Sequence, residues 1–316
     1  MESITFAFIV PFVAVILDSL FGDPHNLPHP VRFIGQALDV FESSARRVGL
    51  GLRVAGWAAM ILLSAAVWGI VEYLIAIPYL GVLIAIYLAY AGLALGCLVR
   101  DSRRVATLLD TGDLPGARKA LSMLVSRDTE SLDPNGIRRT LAETVSENLN
   151  DGFVAPMFYL AIFGPGGLWA YKVVSTMDSM WGYKTERFKD LGYAAAKTDD
   201  LLAFIPARIT ASLLLCVGKR FGLNVGLAKE NYKADAGKME SPNAGWPMAA
   251  AAWLFEAQMG GQAVYFGKLT EKPVLGPKGR IWDKKKIRQL INLSKSAGHL
   301  AAWIFILTLG WLQIIL

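Results

Sequence analysis

The stretch LGVLIAIYLAYAGLALGCLV, residues 80–99, contains no charged side chain. A helix needs about 20 mainly apolar residues to cross the hydrocarbon core of a bilayer, and this stretch supplies them. Runs 4–21, 54–77 and 298–316 approach the same pattern, although Pro11 interrupts the first and Glu72 lies near the end of the second. The sequence therefore predicts about four true membrane spans.

The composition agrees with a membrane protein. Of the 316 residues, 54% are hydrophobic and 18% are charged, whereas soluble domains are about 45–50% apolar and about 25% charged. The net charge of +6 fits basic loops that orient the chain and face anionic lipid. The basic residues lack the interleaved aromatic residues of single-strand binders. We predict an all-α polytopic helical bundle, one domain over 1–316, that contacts the lipid bilayer and no nucleic acid, with mostly helical segments outside the membrane.

Two weaker apolar stretches, 153–170 and 201–217, are broken by glycine and proline. The first contains Gly164-Pro165-Gly166-Gly167, and the second contains Pro206 and Arg208. A charge at mid-membrane costs at least ~2.5–3.5 kcal/mol, and broken backbone is tolerated at depth only where protein or water covers it. We interpret both stretches as re-entrant or buried helices; a six-span protein is the alternative.

The distribution of Arg and Lys predicts the orientation. The segments 22–53 and 100–150 are basic, whereas residues 77–80 and both chain ends carry no Arg or Lys. By the positive-inside rule, both termini lie outside. Segments 100–150, 172–200 and 218–297 then lie in the cytoplasm.

Residues 133–152 predict a helix that has an acidic face. Asp133 is a cap, Pro134 suits the first helical position, and Gly152 is a plausible stop. Apolar residues recur on one face and acidic residues on the other: Ile137, Leu141, Val145 and Leu149 against Glu143, Glu147 and Asp151. Asn148 lies near the acidic edge. Three carboxylates on one face repel each other unless cations offset them, so the face is either solvated or a magnesium site, because Mg²⁺ binds carboxylate and phosphate oxygens.

Further charged residues follow the broken apolar stretches. They are Arg127, Asp128, Lys172, Asp178, Lys184, Arg187, Asp199, Asp200 and Arg208. A metal-bearing anionic substrate needs acids for the metal and Arg or Lys for phosphate oxygens. Taken singly, each residue could be an ordinary surface charge.

Two proline-rich segments carry other candidate residues. LDSLFGDPHNLPHPVRFIG, residues 17–35, contains two aspartates, two histidines and an arginine: Asp18, Asp23, His25, His29 and Arg32. The two aspartates and two histidines could ligate a transition metal, although a structural or substrate-contacting role is favoured on so stiff a loop. ESPNAGWPMA, residues 240–249, adds Asn243 and Trp246.

Several of these segments, in this order, resemble the CobD/CbiB family, the adenosylcobinamide-phosphate synthases of cobalamin biosynthesis. The resemblance rests on residues 17–35, SRDTESLD at 126–133, ETVSENLNDGFVAPMFY at 143–159, YKVVSTMDSMWGYK at 171–184, KTDDLLAFIPARIT at 197–210 and residues 240–249. It implies an ATP-dependent ligase in the inner cell membrane that joins aminopropanol, or its O-phosphate, to a propionate carboxylate of adenosylcobyric acid. Its cofactors would be ATP and Mg²⁺, and its active site would be cytoplasmic. Further partners would be a second copy of the chain or other enzymes of the pathway.

The chemistry of amide ligation suggests roles at the matching positions. Glu143, Glu147 and Asp151 would lie near magnesium, and Asp128 or Asp178 would be the general base. Lys172 and Lys184 would be catalytic residues that contact phosphate. The other cationic and amide side chains would bind the substrate or its phosphate: Arg32, Arg127, Arg187, Arg208, Asn148 and Asn243. A transporter is one rival, but it would need polar residues along several spans and a repeat that the sequence does not show. The other rival is a non-catalytic corrinoid-binding subunit.

Overall fold

The computed structural model describes residues 5–23, 29–49, 51–265, 267–309 and 311. In chain order the α-helices are α1 (Val10–Phe21), α2 (Pro30–Val48), α3 (Leu52–Ile75), α4 (Gly81–Ala91), α5 (Leu95–Asp110), α6 (Leu114–Ser122), α7 (Pro134–Leu149), α8 (Ala155–Trp181), α9 (Tyr193–Leu202), α10 (Phe204–Gly218), α11 (Val225–Ala236), α12 (Gly245–Leu254) and α13 (Lys284–Leu309). A hairpin of β1 (Met259–Tyr265) and β2 (Lys268–Leu275) precedes α13.

The chain, predicted above as one domain, forms two compact units. Unit 1 comprises Met1–Ala94, Ala155–Ala203 and Ala302–Leu316, and unit 2 comprises Leu95–Val154 and Phe204–Ala301. In unit 1, α8 packs against α3, α2 and α9, and α1 packs against α4. In unit 2, α12 packs against α7, α10 and α11. Each unit therefore has its own core, with Trp169 and Trp181 fully buried in the first and Trp282 in the second.

The prediction of a polytopic helical membrane protein is confirmed. Within the described residues, four helical stretches are long and apolar enough to cross a membrane: Leu52–Ile75, Gly81–Asp110, Pro134–Trp181 and Lys284–Thr308. The apolar pair α9 and α10 would add a fifth if it is one bent span. Exposed apolar side chains on α3, such as Leu62 at 64% exposure, are what a lipid-facing helix presents. The exact spans, the buried or re-entrant assignments and the six-span alternative stay predictions, and residues 4, 310 and 312–316 of the predicted spans lie outside the described residues.

The predicted helix start at residue 133 is confirmed, and the predicted stop is wrong. The Asp133 carboxylate accepts the Gly136 N–H at 2.7 Å, and Pro134 opens α7. Beyond Leu149 the chain passes through a π-helical turn, Asn150–Val154, straight into α8. A π turn accommodates an extra residue without ending the helix, so Gly152 lies inside a continuing helix. The predicted break does occur at Gly164 (φ 68°, ψ −166°).

The β-hairpin is an element that the sequence did not predict, in an otherwise helical chain. Its strands are antiparallel, Met259 pairing with Leu275 and Tyr265 with Lys268. A bulge lies between Met259 and Gly261, where Gly260 has φ 75°. A Cβ on Gly260 would lie 2.0 Å from the Pro273 carbonyl oxygen, so this position requires glycine. Bulges often redirect a backbone group, and here the redirected group is the Gly260 N–H.

Candidate functional site

The centre of the candidate site is a buried ion pair between Arg127 and Glu143 in unit 2. Their side chains are 9% and 2% exposed. Arg127 also donates to the Thr140 hydroxyl at 3.2 Å, and the other oxygen of Glu143 accepts the N–H of Gly260 at 2.7 Å. Burial acts against the charged guanidinium, but Glu143 together with Tyr265 and Glu147 outweighs it, so the pKa of Arg127 lies above its ordinary value. Both side chains of the pair are largely occupied by protein partners.

Glu147, one turn further along α7, is placed differently. It is half-buried. In the part of the chain that the structure describes, its carboxylate has neither a hydrogen bond nor a salt bridge. The charges that act on it are those of Lys272, Glu143 and Arg127. We call Glu147 uncommitted because its carboxylate has no such partner among the described residues, although the charges of Lys272 and Arg127 act on it. A carboxylate in this arrangement can bind a ligand as well as stabilise the fold.

The hairpin covers the acidic face of α7 and brings further cationic and aromatic groups to it. The Arg127 guanidinium lies 5.6 Å from the Tyr265 ring centroid, and the Lys272 ammonium lies 4.9 Å from the same centroid. Asp128 anchors the turn, because its N–H donates to the Val264 carbonyl and its carboxylate accepts the Gly267 N–H, both at 2.9 Å. Of the three carboxylates of the predicted acidic face, Glu143 is buried, whereas Glu147 and Asp151 are half-buried.

The structure does not assemble the three predicted magnesium ligands into one metal site. No group of three or more His, Cys, Asp or Glu side chains within the described ranges could hold a metal ion. Glu143 faces Arg127 and Gly260, whereas Asp151 lies in the π turn and accepts from Asn150 at 2.7 Å. Glu143 and Glu147 lie in α7, whereas Asp151 lies in the π turn that follows it. Asn148 is half-buried beside Glu147 on α7.

Arg208 forms a second cluster in unit 2. Its guanidinium lies 3.3 Å from the Phe204 ring centroid and 4.4 Å from the Trp246 ring centroid. It donates to the buried Asn243 side chain at 3.3 Å and to the Phe204 carbonyl at 2.7 Å. The predicted binding residues Arg208 and Asn243 are therefore in contact, and the two rings hold the planar guanidinium in place.

In unit 1, Arg187 makes an ion pair that the sequence did not reveal. It binds the buried Glu42 with two hydrogen bonds, at 2.9 and 3.0 Å, and Arg46 binds the same carboxylate at 2.9 Å. The hydrogen bond from Arg187 holds the pKa of Glu42 below its usual range. Arg187, predicted to contact phosphate, thus fastens the segment after α8 to α2. Arg32, on α2 too, is exposed.

The remaining candidates of unit 1 lie along and after the C-terminal half of α8. Lys172 and Asp178 are half-buried, and Lys184 is exposed. Asp200 acts electrostatically on Asp178, and Lys184 acts on Asp200. Asp200 therefore interacts electrostatically with both Asp178 and Lys184.

The predicted histidine-rich segment is described only in part, because His25 lies outside the described residues. His29 precedes α2 and caps it, since its Nδ1 accepts the Val31 N–H at 3.2 Å. Its Nε2 lies 3.6 Å from the Asp23 carboxylate. Asp18 is fully buried in α1. His29 is thus engaged as a helix cap, and the role of this segment toward a metal or a substrate stays a prediction.

Comparison with known proteins agrees with the resemblance. The family model described as CobD/Cbib protein matches residues 11–294. The chain is 41% identical over 293 residues to the cobalamin biosynthesis protein CobD of Geobacter metallireducens, which covers 91% of this chain and 92% of the relative. It belongs to the CobD/CbiB family. It is also 36% identical to CobD of Klebsiella pneumoniae and 35% identical to CbiB of Salmonella arizonae, each covering 95% of this chain and 97% of the relative. No solved structure matches it.

The family model covers residues 11–294 of this CobD/CbiB chain, and all the described candidate site residues lie within that range. It also contains three participants that sequence reasoning missed: Lys272, Tyr265 and the N–H of Gly260. The sequence contains a weak signal for a hairpin at these residues. Gly260-Gly261 can form a bulge, and residues Lys268–Leu275 alternate weakly between polar and apolar side chains around Pro273. A hairpin prediction there would have brought a lysine to the acidic helix.

Proposed function

We propose that the chain is a membrane enzyme of cobalamin biosynthesis that joins an amine to a carboxylate at the expense of ATP. The amine is aminopropanol or its O-phosphate, and the carboxylate is a propionate of adenosylcobyric acid. The names of the relatives support the pathway, and the resemblance supports the reaction. Among the side chains, the observation that carries the proposal is the uncommitted Glu147 beside Lys272 and Arg127.

The reaction requires two changes of reactivity. A carboxylate is a poor electrophile, so ATP first transfers its terminal phosphoryl group to the propionate, giving an acyl phosphate and ADP. The amine, freed of its extra proton by a general base, then attacks the acyl carbon and expels inorganic phosphate. Asp178 or Asp128 is our candidate base. Positive groups that meet the transferring phosphoryl oxygens lower the barrier because they offset developing charge.

Both units contain residues that match segments of the family. In unit 2, Lys272 meets phosphate oxygens, and Arg208 with Asn243 binds a substrate carboxylate or phosphate through a two-pronged contact. Magnesium bound with the nucleotide would supply further positive charge. Because Mg²⁺ is commonly held by one or two carboxylates together with substrate phosphates, Glu147 alone suffices as its ligand from α7. In unit 1, Lys172 and Lys184 are the candidate cations.

The proposed location is the inner cell membrane, with the active site on the cytoplasmic side. The basic segments 100–150 and 218–297 contain Arg127, Glu147 and Lys272, and the positive-inside rule places these segments in the cytoplasm. ATP and the corrinoid would therefore reach the site from the cytoplasm.

The purified, detergent-solubilised protein tests the proposal directly. We expect it to consume ATP and form the amide only when both adenosylcobyric acid and the amine are present. We expect Glu147→Gln to reduce turnover about 10²-fold or more, the usual cost of one lost charge-stabilising group. The matched control is Glu230→Gln, an exposed glutamate in the same unit, which should retain wild-type turnover.

Other outcomes of this assay identify the rivals. Corrinoid binding without ATP consumption would indicate a non-catalytic assembly subunit. Corrinoid uptake into vesicles that contain the protein would indicate a transporter. Unchanged turnover in Glu147→Gln would remove this carboxylate from the mechanism.

A further inference from the structure

A pocket of about 190 Å³ lies in unit 2 at the first turn of α7. Asp133, Asn135 and Arg139 line it from one side. From the other side it is lined by Gln258 and by the loop Gly279-Arg280-Ile281-Trp282. This pocket does not include Arg127, Glu147 or Lys272, so it is a separate feature of the same unit.

The charges around the pocket favour an anion. Among the described residues, no carboxylate lies within salt-bridge distance of Arg139 or Arg280. The one acidic residue in the lining, Asp133, is engaged as the cap of α7 through its 2.7 Å contact with the Gly136 N–H. Two guanidinium groups and one carboxylate, that of Asp133, thus border a small cavity in which positive charge is in excess.

Arg139 carries a second sign that a ligand is missing. Its Nη2 donates to the Gln262 carbonyl at 2.9 Å, which ties α7 to the hairpin. Its Nε, however, is buried and has no hydrogen-bond partner among the described residues. A buried donor left unpaired costs about 1–3 kcal/mol, and an acceptor in the pocket would remove that cost.

The backbone at the start of α7 adds a further donor. Pro134 has no N–H, the Gly136 N–H binds the Asp133 carboxylate, and the Ile137 N–H binds the Asp133 carbonyl at 2.9 Å. Among the described residues the Asn135 N–H has no protein acceptor, and Asn135, which is exposed, lines the pocket. Helix N-termini attract anions through such donors and through the helix dipole.

The volume restricts what the anion can be. A water molecule occupies about 30 Å³ of the liquid, so the pocket has room for about six waters. That is enough for a phosphate group with a short carbon chain, and too little for a corrinoid or a whole nucleotide. Arg fits such a group well because its planar fork binds two oxygens at once.

We propose that this pocket binds the phosphate of a small monoester, using Arg139, Arg280 and the Asn135 N–H. Only the identity of the ester rests on the proposed function, under which it is aminopropanol O-phosphate. The same chemistry is found in the head group of phosphatidate, so the test must distinguish a soluble ester from a lipid.

The test measures binding to the full-length protein in detergent, without ATP or corrinoid, by titration calorimetry. The probes are aminopropanol O-phosphate, free aminopropanol and inorganic phosphate, with phosphatidate supplied in nanodiscs as a separate arm. Arg280→Gln is the informative variant because its side chain is exposed and has no protein partner to lose. The control is Arg220→Gln, an exposed arginine of the same unit outside the pocket.

We expect the phosphate ester to bind at least ten-fold more tightly than free aminopropanol. Arg280→Gln should weaken that binding at least ten-fold, while Arg220→Gln should leave it unchanged. If phosphatidate alone binds, and Arg280→Gln weakens it, the ligand is the lipid head group. Equal affinity of every phosphate-bearing probe for the wild type and Arg280→Gln would overturn the proposal. This titration measures binding and not turnover, so its result is independent of the turnover assay described above. A protein that binds the ester here but forms no amide in that assay would contradict the ligase function and leave the pocket assigned.

Discussion

Replacing Glu143 with glutamine should destabilise the protein by about 3 kcal/mol. The substitution removes the negative charge from a pair whose two side chains are 2% and 9% exposed, so Arg127 is left buried without compensation. Breaking a buried pair in this way typically costs about 3–5 kcal/mol. The lower end applies here because the glutamine carbonyl can still accept the N–H of Gly260 and the Thr140 contact with Arg127 remains.

The loss should appear as a lower apparent melting temperature in detergent. A change of 1 kcal/mol shifts the Tm by about 2–4 °C for domains of 150–250 residues, so we expect a fall of roughly 6–12 °C. Hydrogen exchange should locate the effect, because Glu143 holds the bulge of the hairpin through Gly260. The amides of 259–275 should therefore exchange faster, whereas those of α3 in the other unit should be unaffected.

A second substitution separates lost charge from lost packing. In Glu143→Gln combined with Arg127→Met, neither buried charge remains, and neutral replacement of a buried pair is often tolerated. The double variant should therefore be more stable than Glu143→Gln alone. If Glu143→Gln melts within a degree of the wild type, or if the double variant is the less stable of the two, the reasoning about an uncompensated Arg127 is refuted.

Three other predictions concern topology, pH and substrate contact. Single cysteines introduced at Asn135 and Asp190 should resist labelling by an impermeant reagent from the periplasmic face; labelling of either would favour six spans over four. Because the pKa of Glu42 lies below its ordinary 4.5, the stability contributed by its bonds to Arg187 is complete above that pH and is lost as the pH falls through the folded-state pKa. Glu42→Gln should flatten this acid-side loss in a Tm-versus-pH series, and an unchanged profile would contradict it. Arg208→Lys should stay folded yet raise the KM for one substrate, since lysine cannot make the two-pronged contact; misfolding instead would show that the arginine is structural.

The helical architecture could be predicted from the sequence because it rests on local signals. The Asp133-Pro134 start and the Gly164 break each depend on a few adjacent residues, and the structure shows both. The uncharged run 80–99 is helical too, although it is divided between α4, which ends at Ala91, and α5, which begins at Leu95. The hairpin could not be predicted in the same way. Its strand pattern is interrupted by Gly260 and Gly261, which serve a bulge specified by a distant helix.

The candidate site was predictable only as far as residue type and position. Charged residues of α7 and its neighbours were identified, but their partners are remote in sequence. Glu143 meets Gly260, which is 117 residues away, and Glu42 meets Arg187, which is 145 residues away. Glu143, Glu147 and Asp151 do not form a group of metal ligands within the described residues, and Asp151 lies in a π turn that the sequence did not reveal.

The division of the chain into two interleaved units has a consequence for biogenesis. The polypeptide passes from one unit to the other at residues 94–95, 154–155, 203–204 and 301–302. Unit 1 contains α1, yet it also includes Ala302–Leu309 at the end of α13. Neither unit can therefore be completed while the other is still unsynthesised, and early helices must wait in the membrane for late ones. A chain truncated before α13 would lack parts of both units, so its product should be degraded rather than accumulate as one folded half.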